Sequence, residues 1–271
     1  MVFSQVIALA VVLIACFAVF GGLGRLFPCN PGRPLFFSRS IGLDLGYALF
    51  GILYAGAGPL AAAALSATPA GPFLQHLTGA QLQRLPTLAQ LAILLVATDF
   101  AQYWLHRAFH DPRLWPFHAV HHSAPDVNWT TTFRTHPVNY LVLNAALGVL
   151  AKALGFSELT LLLAAPIFFF SGAITHANLN WTFGPLRYVI ASPVYHRWHH
   201  VKDPAVHDRN FAPTFPVLDL MFGTFYMPKG VLPSDYGVEG APSSYLAQMV
   251  YPFQVIAGRL GLPRKAGAAA A

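Results

Sequence analysis

The chain has 271 residues, of which 55% are hydrophobic and only 10% charged, with a formal net charge of +6. Soluble domains carry about 25% charged residues, so this balance excludes an ordinary water-soluble globule. No long basic tract points to a nucleic-acid partner. With only 2 cysteines, a disulfide framework and a zinc ribbon are excluded as well; Cys16 and Cys29 read as small apolar residues.

Long apolar runs account for the missing charge. The first, "VIALAVVLIACFAVFGGL" (Val6 to Leu23), approaches the ~20 residues that cross a hydrocarbon core. A signal peptide is the alternative, since "LIAC" resembles a lipoprotein cleavage box. No basic residue precedes the run, however, and it stays apolar beyond Cys16, so it reads as a span. A second run starts at Ile41 and continues through "GYALFGILYAGAGPLAAAAL", and a third covers Leu88 to Leu105. Two more flank the polar turn "KALGFSE" as a hairpin. The expected architecture is all-α and polytopic, with about four transmembrane helices. Residues 1–94 hold the N-terminal helices and a loop, 95–228 the chemistry, and 229–271 a tail ending in low-complexity "AGAAAA", expected to be disordered.

Basic residues set the expected orientation. Arg25, Arg33 and Arg39 follow the first run, Arg107, Arg113 and Arg134 follow the third, and Arg187, Arg197, Lys202, Arg209 and Lys229 follow the hairpin, whereas Arg84 stands between the second and third runs. The crowded side is expected in the cytoplasm. Low Lys against high Arg, with abundant Ala, Gly and Pro, suggests a high-GC bacterial source and hence the inner membrane.

Histidines carry the chemistry. "HRAFH" supplies His106 and His110, "HAVHH" supplies His118, His121 and His122, and "HRWHH" supplies His196, His199 and His200. His136 and His176 stand where the chain enters and leaves the hairpin, while His76 reads as an interface residue with a wet tip and His207 as an outlier. On a helix, residues at i, i+3 and i+4 share a face, so each cluster presents its imidazoles together. Neutral imidazole is the commonest metal ligand and suits Zn, Cu, Fe and Ni. Unpartnered buried imidazoles are costly, and ten of them match two ions at roughly four to six donors each.

Other histidine chemistries fit less well. A zinc protease places a glutamate after the first histidine of its motif; here Arg107, Ala119 and Arg197 take that position. Carboxylate-bridged di-iron bundles require several glutamates, and the chain has only Glu158 and Glu239. A metal carrier or transporter would spread polar groups through the depth of its spans, and these runs have almost none. Any iron here is held by a nitrogen-rich shell, which leaves a membrane oxygenase.

The motifs resemble those of the fatty acid hydroxylase superfamily, which includes the sterol desaturases. "DFAQYWLHRAFH" is similar to its first histidine box, and "LWPFHAVHHSAPDVNWTTTFRTHP" to its second. "THANLNW" with "GPLRYVIASPVYHRWHH" looks like the third, and "DRNFAPTFPVLDLMFGTFYMP" resembles the closing signature, with Leu218 where tryptophan is usual. The resemblance covers about residues 95–228. It implies a cytosolic helical cap holding two irons that use O2 to oxidise an unactivated C–H bond of a fatty acyl, sterol, hopanoid or carotenoid substrate. Hydroxylation gives an alcohol; loss of a second hydrogen, as in a desaturase, gives an alkene.

Carried over residue by residue, the ligands are His106, His110, His118, His121, His122, His196, His199 and His200, completed by His136 and His176. Asp99, Asn210 and Asp219 read as groups orienting imidazoles through their other ring nitrogen, with Arg107 as an alternative partner of Asp99. "NWTTTFRTHP" reads either as a substrate entrance or as a surface loop. No HPGG motif of a fused cytochrome b5 occurs, so the resemblance implies a separate ferredoxin or cytochrome b5-type donor with its reductase.

Overall fold

A computed structural model describes residues 2–74 and 80–260, with side chains in the first helix described from Ala10 onward. His76 and the "AGAAAA" tail lie outside the described residues. Twelve α-helices occur in this part: α1 (Val2–Leu26), α2 (Arg39–Gly51), α3 (Ala57–Ser66), α4 (Ala70–Leu74), α5 (Ala80–Leu82), α6 (Thr87–Phe109), α7 (Trp115–His122), α8 (Pro137–Leu154), α9 (Glu158–His176), α10 (Pro193–His199), α11 (Val217–Met221) and α12 (Tyr245–Arg259). No strand forms among the described residues beyond an isolated bridge between Val201 and Tyr236.

The expected all-α architecture with four spans is present. Four helical stretches are long and apolar enough to cross a membrane: Arg39–Ser66, Thr87–Phe109, Pro137–Leu154 and Glu158–His176. The first joins α2 and α3 through a 3-10 turn at Ile52–Tyr54. The first apolar run is also helical, and its described part, Ala10–Leu26, is shorter than these four.

Local chemistry places the turns. Ser38 caps α2 by accepting the Ile41 N–H. In "KALGFSE", Gly155 ends α8 in the left-handed region (φ 72°), a conformation that glycine adopts at no steric cost. Ser157 then caps α9 by accepting the Thr160 N–H, and Glu158 lies in the first turn, where the helix dipole favours negative charge. Two glycines let α3 and α8 touch through their backbones, since a Cβ at Gly148 would lie 2.2 Å from the Gly58 carbonyl oxygen.

These turns give the spans alternating directions, so α2 and α8 begin, and α6 and α9 end, at one end of the bundle. That end carries the histidines. It is roofed by α7 and α10, around a core that includes Cys29, Val194, Tyr195, Trp198 and Tyr236. Both cysteines are free and buried, as their reading as small apolar residues requires.

Two buried arginines tie the roof to the bundle. Arg134 pairs with Asp44 of α2 at 2.5 Å, donates to Ser40, and shares that carboxylate with Thr130. Arg197 donates to the carbonyls of Val127 and His176 and to the Asn30 side chain. A fully buried charge is tolerated when it is paired and hydrogen-bonded in this way.

Candidate metal centre

Nine of the ten expected ligands converge into two adjoining groups. His106, His110, His118, His122 and His199 form one; His121, His176, His196 and His200 form the other. Within each group, one nitrogen per ring lies within 4.8 Å of the others. The helices set this convergence. His106 ends α6, while His118, His121 and His122 occupy adjacent turns of α7, sending two rings to one group and one to the other. His196, His199 and His200 do the same from α10. The groups adjoin at His122, whose ring stands 4.6 Å from His199 and 4.5 Å from His200, centroid to centroid.

Hydrogen bonds fix the tautomer of most rings. The Nδ1–H groups of His106 and His199 donate to the carbonyls of Phe211 (2.8 Å) and Arg209 (2.7 Å). Those of His118 and His110 donate to Asn139 Oδ1 (2.8 Å) and Asp208 Oδ1 (2.9 Å). His121 and His176 donate to the carbonyls of Arg134 (3.0 Å) and Gly172 (2.7 Å). A ring that donates from Nδ1 while neutral has a lone pair at Nε2.

The residues fit a metal on this evidence. Nε2 of His106 and Nε2 of His118 are 3.0 Å apart, and those of His121 and His176 are 3.2 Å apart. With both Nδ1 atoms already donating, each pair sets lone pair against lone pair, which only a cation between them relieves. Furthermore, Nε2 of His110, His122 and His199 and Nδ1 of His196 and His200 are buried without a hydrogen-bond partner. Burial, reinforced by neighbouring rings, holds His118, His121, His122, His196, His199 and His200 well below the usual imidazole range, so these rings stay neutral and ligand-competent.

Four expectations need correction. His136 belongs to neither group. It caps α8, its Nδ1 accepting the Val138 N–H (3.2 Å) while its Nε2–H donates to the Met249 carbonyl (3.2 Å), because the proline after it starts the helix and leaves that N–H in need of a cap. Asp99, Asn210 and Asp219 hydrogen-bond no imidazole among the described residues. Asp99 accepts the N–H groups of Thr214 and Phe215, while Arg107 reaches Tyr103 instead. Asp219 accepts the N–H groups of Phe211 and Ala212 and the hydroxyls of Thr224 and Tyr195. Asn210 bonds the backbone of Tyr195 and Tyr226. All three anchor the strap 208–215, whose carbonyls hold His106 and His199, and so act one residue further from the rings than expected.

Sequence reasoning missed Asn139, Asp208, Asp44 and the strap carbonyls. Asp44 carried a signal: like Asp99, it is a carboxylate within an apolar run. The loop "NWTTTFRTHP" is not the surface loop of the second reading. Asn128 caps a 3-10 turn and Thr130 and Thr131 are fully buried, whereas Thr132 and Thr135 line a cavity.

That cavity, about 230 Å³, lies between α6, α8 and α9 and touches His106, His118, His121, His176 and His196. A larger one of about 950 Å³ opens between the roof loops and reaches His110, His122, His199 and His200. The histidine cluster thus separates a membrane-depth cavity from a roof vestibule.

With the helical spans and the paired histidine groups in place, the comparisons agree on a class. Residues 91–224 match the fatty acid hydroxylase family model, and the chain carries a fatty acid hydroxylase domain. Among curated relatives it is 32% identical over 189 residues to the ornithine lipid hydroxylase OlsE of Rhizobium tropici, covering 69% of this chain and 57% of that protein. It is 30% identical over 135 residues to the alkylglycerol monooxygenase of Xenopus tropicalis, covering 49% of this chain and 30% of the relative. A very-long-chain aldehyde decarbonylase of Oryza sativa is 34% identical over 177 residues, 61% of this chain and 27% of that one. No solved structure matches.

Proposed function

We propose that the protein is a membrane-bound, non-haem di-iron monooxygenase that hydroxylates a C–H bond of a lipid. The observation that carries this reading is the pair of histidine groups with opposed Nε2 lone pairs beside a membrane-depth cavity. His106, His110, His118, His122 and His199 would hold one ion, and His121, His176, His196 and His200 the other. The bound pair supplies O2-dependent oxidation of an unactivated C–H bond.

The chain's own residues do the rest. The Nδ1 anchors keep each ring in its metal-binding tautomer, and second contacts of this kind typically carry 10- to 100-fold in metal affinity. The spans bring a lipid to the rings without passage through water, and their packed faces keep bulk water from the bilayer side of the site. The hydroxylase and monooxygenase names of two relatives favour an alcohol product over an alkene. The chain spans 57% of the ornithine lipid hydroxylase and 30% of the alkylglycerol monooxygenase, so their substrates and electron donors are not carried over to it.

Orientation rests on charge. Helix directions put Arg84 and Lys152 at the far end of the bundle, while Arg25, Arg33, Arg39, Arg107 and Arg113 cluster at the histidine end. Positive residues favour the cytoplasmic face, which supports a reading with the centre on the cytoplasmic side of a bacterial inner membrane, served by a separate ferredoxin or cytochrome b5-type donor.

The test is metal content of the detergent-purified protein beside His199→Ala. About two irons per chain, falling to about one in the variant as the five-ring ion is lost, is expected from this ligand set. Folded wild-type protein that takes up no iron when it is offered would overturn the reading.

A further inference from the structure

The membrane-depth cavity has an unusual wall. Leu105, Phe109, Leu143 and Phe168 make it greasy, but Gln102, Thr132, Thr135 and Ser171 line it as well. These four polar side chains are half-buried and have no hydrogen-bond partner among the described residues.

The bland explanation for a hydroxyl in an apolar helix is a bond to its own preceding turn. Thr98 and Thr175 behave that way, donating to Leu94 and Ser171 carbonyls at 2.7 and 2.9 Å. Ser171, on the same helix as Thr175, does not. Their polar atoms open onto the cavity instead of being sealed in the protein, so four of them around one cavity mark a place where a ligand can take up the bonds.

Their position is specific. Gln102 lies one turn before His106 on α6 and so shares its face. Ser171 adjoins Gly172, whose carbonyl holds His176, and Thr135 adjoins Arg134, whose carbonyl holds His121. Thr132 presses on Gly172 so closely that a Cβ there would stand 2.6 Å from its hydroxyl oxygen. The polar groups therefore line the same cavity as the rings. None is charged, and no Lys or Arg lines the cavity. The wall itself therefore offers an anion no side-chain counter-charge, whereas a neutral amide, hydroxyl or ester finds donors and acceptors in Gln, Thr and Ser.

Building on the oxygenase reading above, we infer that the substrate is a lipid whose oxidised carbon lies close to a neutral hydrogen-bonding group, an amide, ester or hydroxyl, and that Gln102, Thr132, Thr135 and Ser171 fix that group beside the metal centre. A plain hydrocarbon, or the unsubstituted stretch of an isoprenoid, would leave all four groups unpaired, and sites built for hydrogen bonds reject analogues that lack them.

The experiment compares hexadecanamide with hexadecane. Both are offered at equal concentration to the purified, iron-loaded protein in detergent, and retained ligand and metal are read together by native mass spectrometry. Wild type is expected to retain the amide about tenfold over the alkane, the effect of one or two neutral hydrogen bonds. Gln102→Leu with Ser171→Ala is expected to bring that preference to about parity while keeping its iron, because neither side chain belongs to a histidine group or hydrogen-bonds one of its rings. Ser171→Ala alone, a milder change, is expected to lose part of it. Equal retention of both ligands by iron-bearing wild type, or an undiminished preference in the iron-bearing variants, would overturn this inference and leave the oxygenase reading intact. Wild type that holds no iron overturns the oxygenase reading and this inference with it.

Discussion

The two histidine groups both draw rings from α7 and α10, yet they are held by different parts of the molecule. In the five-ring group, His106, His110 and His199 donate to Phe211, Asp208 and Arg209, all on the strap 208–215, and His110, His122 and His199 line the roof vestibule. In the four-ring group, His121 and His176 donate to carbonyls of Arg134 and of α9 itself, and three of the four rings face the membrane-depth cavity. One group hangs from a loop, the other is built into the bundle. The difference teaches that disturbing the bundle should damage the four-ring group and stability together, whereas disturbing the strap should loosen one ion and spare the fold.

The largest expected effect comes from the bundle side. Arg134 is 1% exposed and Asp44 fully buried, so Arg134→Ala leaves a buried carboxylate with a single hydroxyl donor. Breaking one partner of a buried pair typically costs about 3–5 kcal/mol. Thermal unfolding in detergent should show a large fall in Tm, with the four-ring ion lost because the His121 anchor belongs to the displaced residue. A variant with wild-type Tm and full metal would break the proposed link between α2 and the centre.

A smaller effect is expected from the strap. Asp208→Asn keeps the shape but removes the charge that meets His110 Nδ1 at 2.9 Å. The strap keeps its other anchors on Asp99 and Asp219, so folding should be unaffected. Metal affinity of the five-ring group should fall about 10- to 100-fold, in line with outer partners of ligating histidines, while the four-ring group keeps its ion. Chelator titration followed by metal analysis would separate the two sites; equal loss from both would erase the distinction between them.

Much of this centre was legible from residue types alone, and the reason is spacing. Histidines three and four apart on short helices have to share a face, so "HAVHH" and "HRWHH" announced their convergence before any coordinates. The single histidines were ambiguous because nothing local constrains them. His136 and His176 both border the hairpin, but one precedes a proline and caps a helix, while the other ends a helix pointing at the cluster. The anchoring contacts were largely hidden. Four of the six Nδ1 acceptors are backbone carbonyls, and a carbonyl carries no side-chain signature. The acidic residues Asp99 and Asp219 were visible as important, but their hydrogen bonds go to the N–H groups of the strap, one step from the rings. Asp44 fitted the same rule that singled out Asp99; its role became evident only when Arg134 was seen to fold back onto it.

The smallest expected effect is a pH dependence that orders the two groups. Burial lowers the pKa of His110, while the Asp208 carboxylate opposes that shift; in turn, the His110 hydrogen bond holds Asp208 below its usual range. His121, His196 and His200 are held well below the usual imidazole range by burial and by neighbouring rings, with no carboxylate among the causes. The folded protein therefore binds fewer protons than the unfolded chain once pH drops below the ordinary imidazole value of about 6.5. Stability from these neutral rings is present above that value and is lost as pH falls toward their depressed values. Protons also compete with metal for the ring nitrogens, and they reach His110 first because a carboxylate is there to receive its charge. Metal per chain should thus fall in two steps on acidification, the five-ring ion leaving at the higher pH. His199→Ala, which lacks that ion, should show only the lower step. A first step that persists unchanged in His199→Ala would assign the acid-sensitive ion to the four-ring group and reverse the comparison.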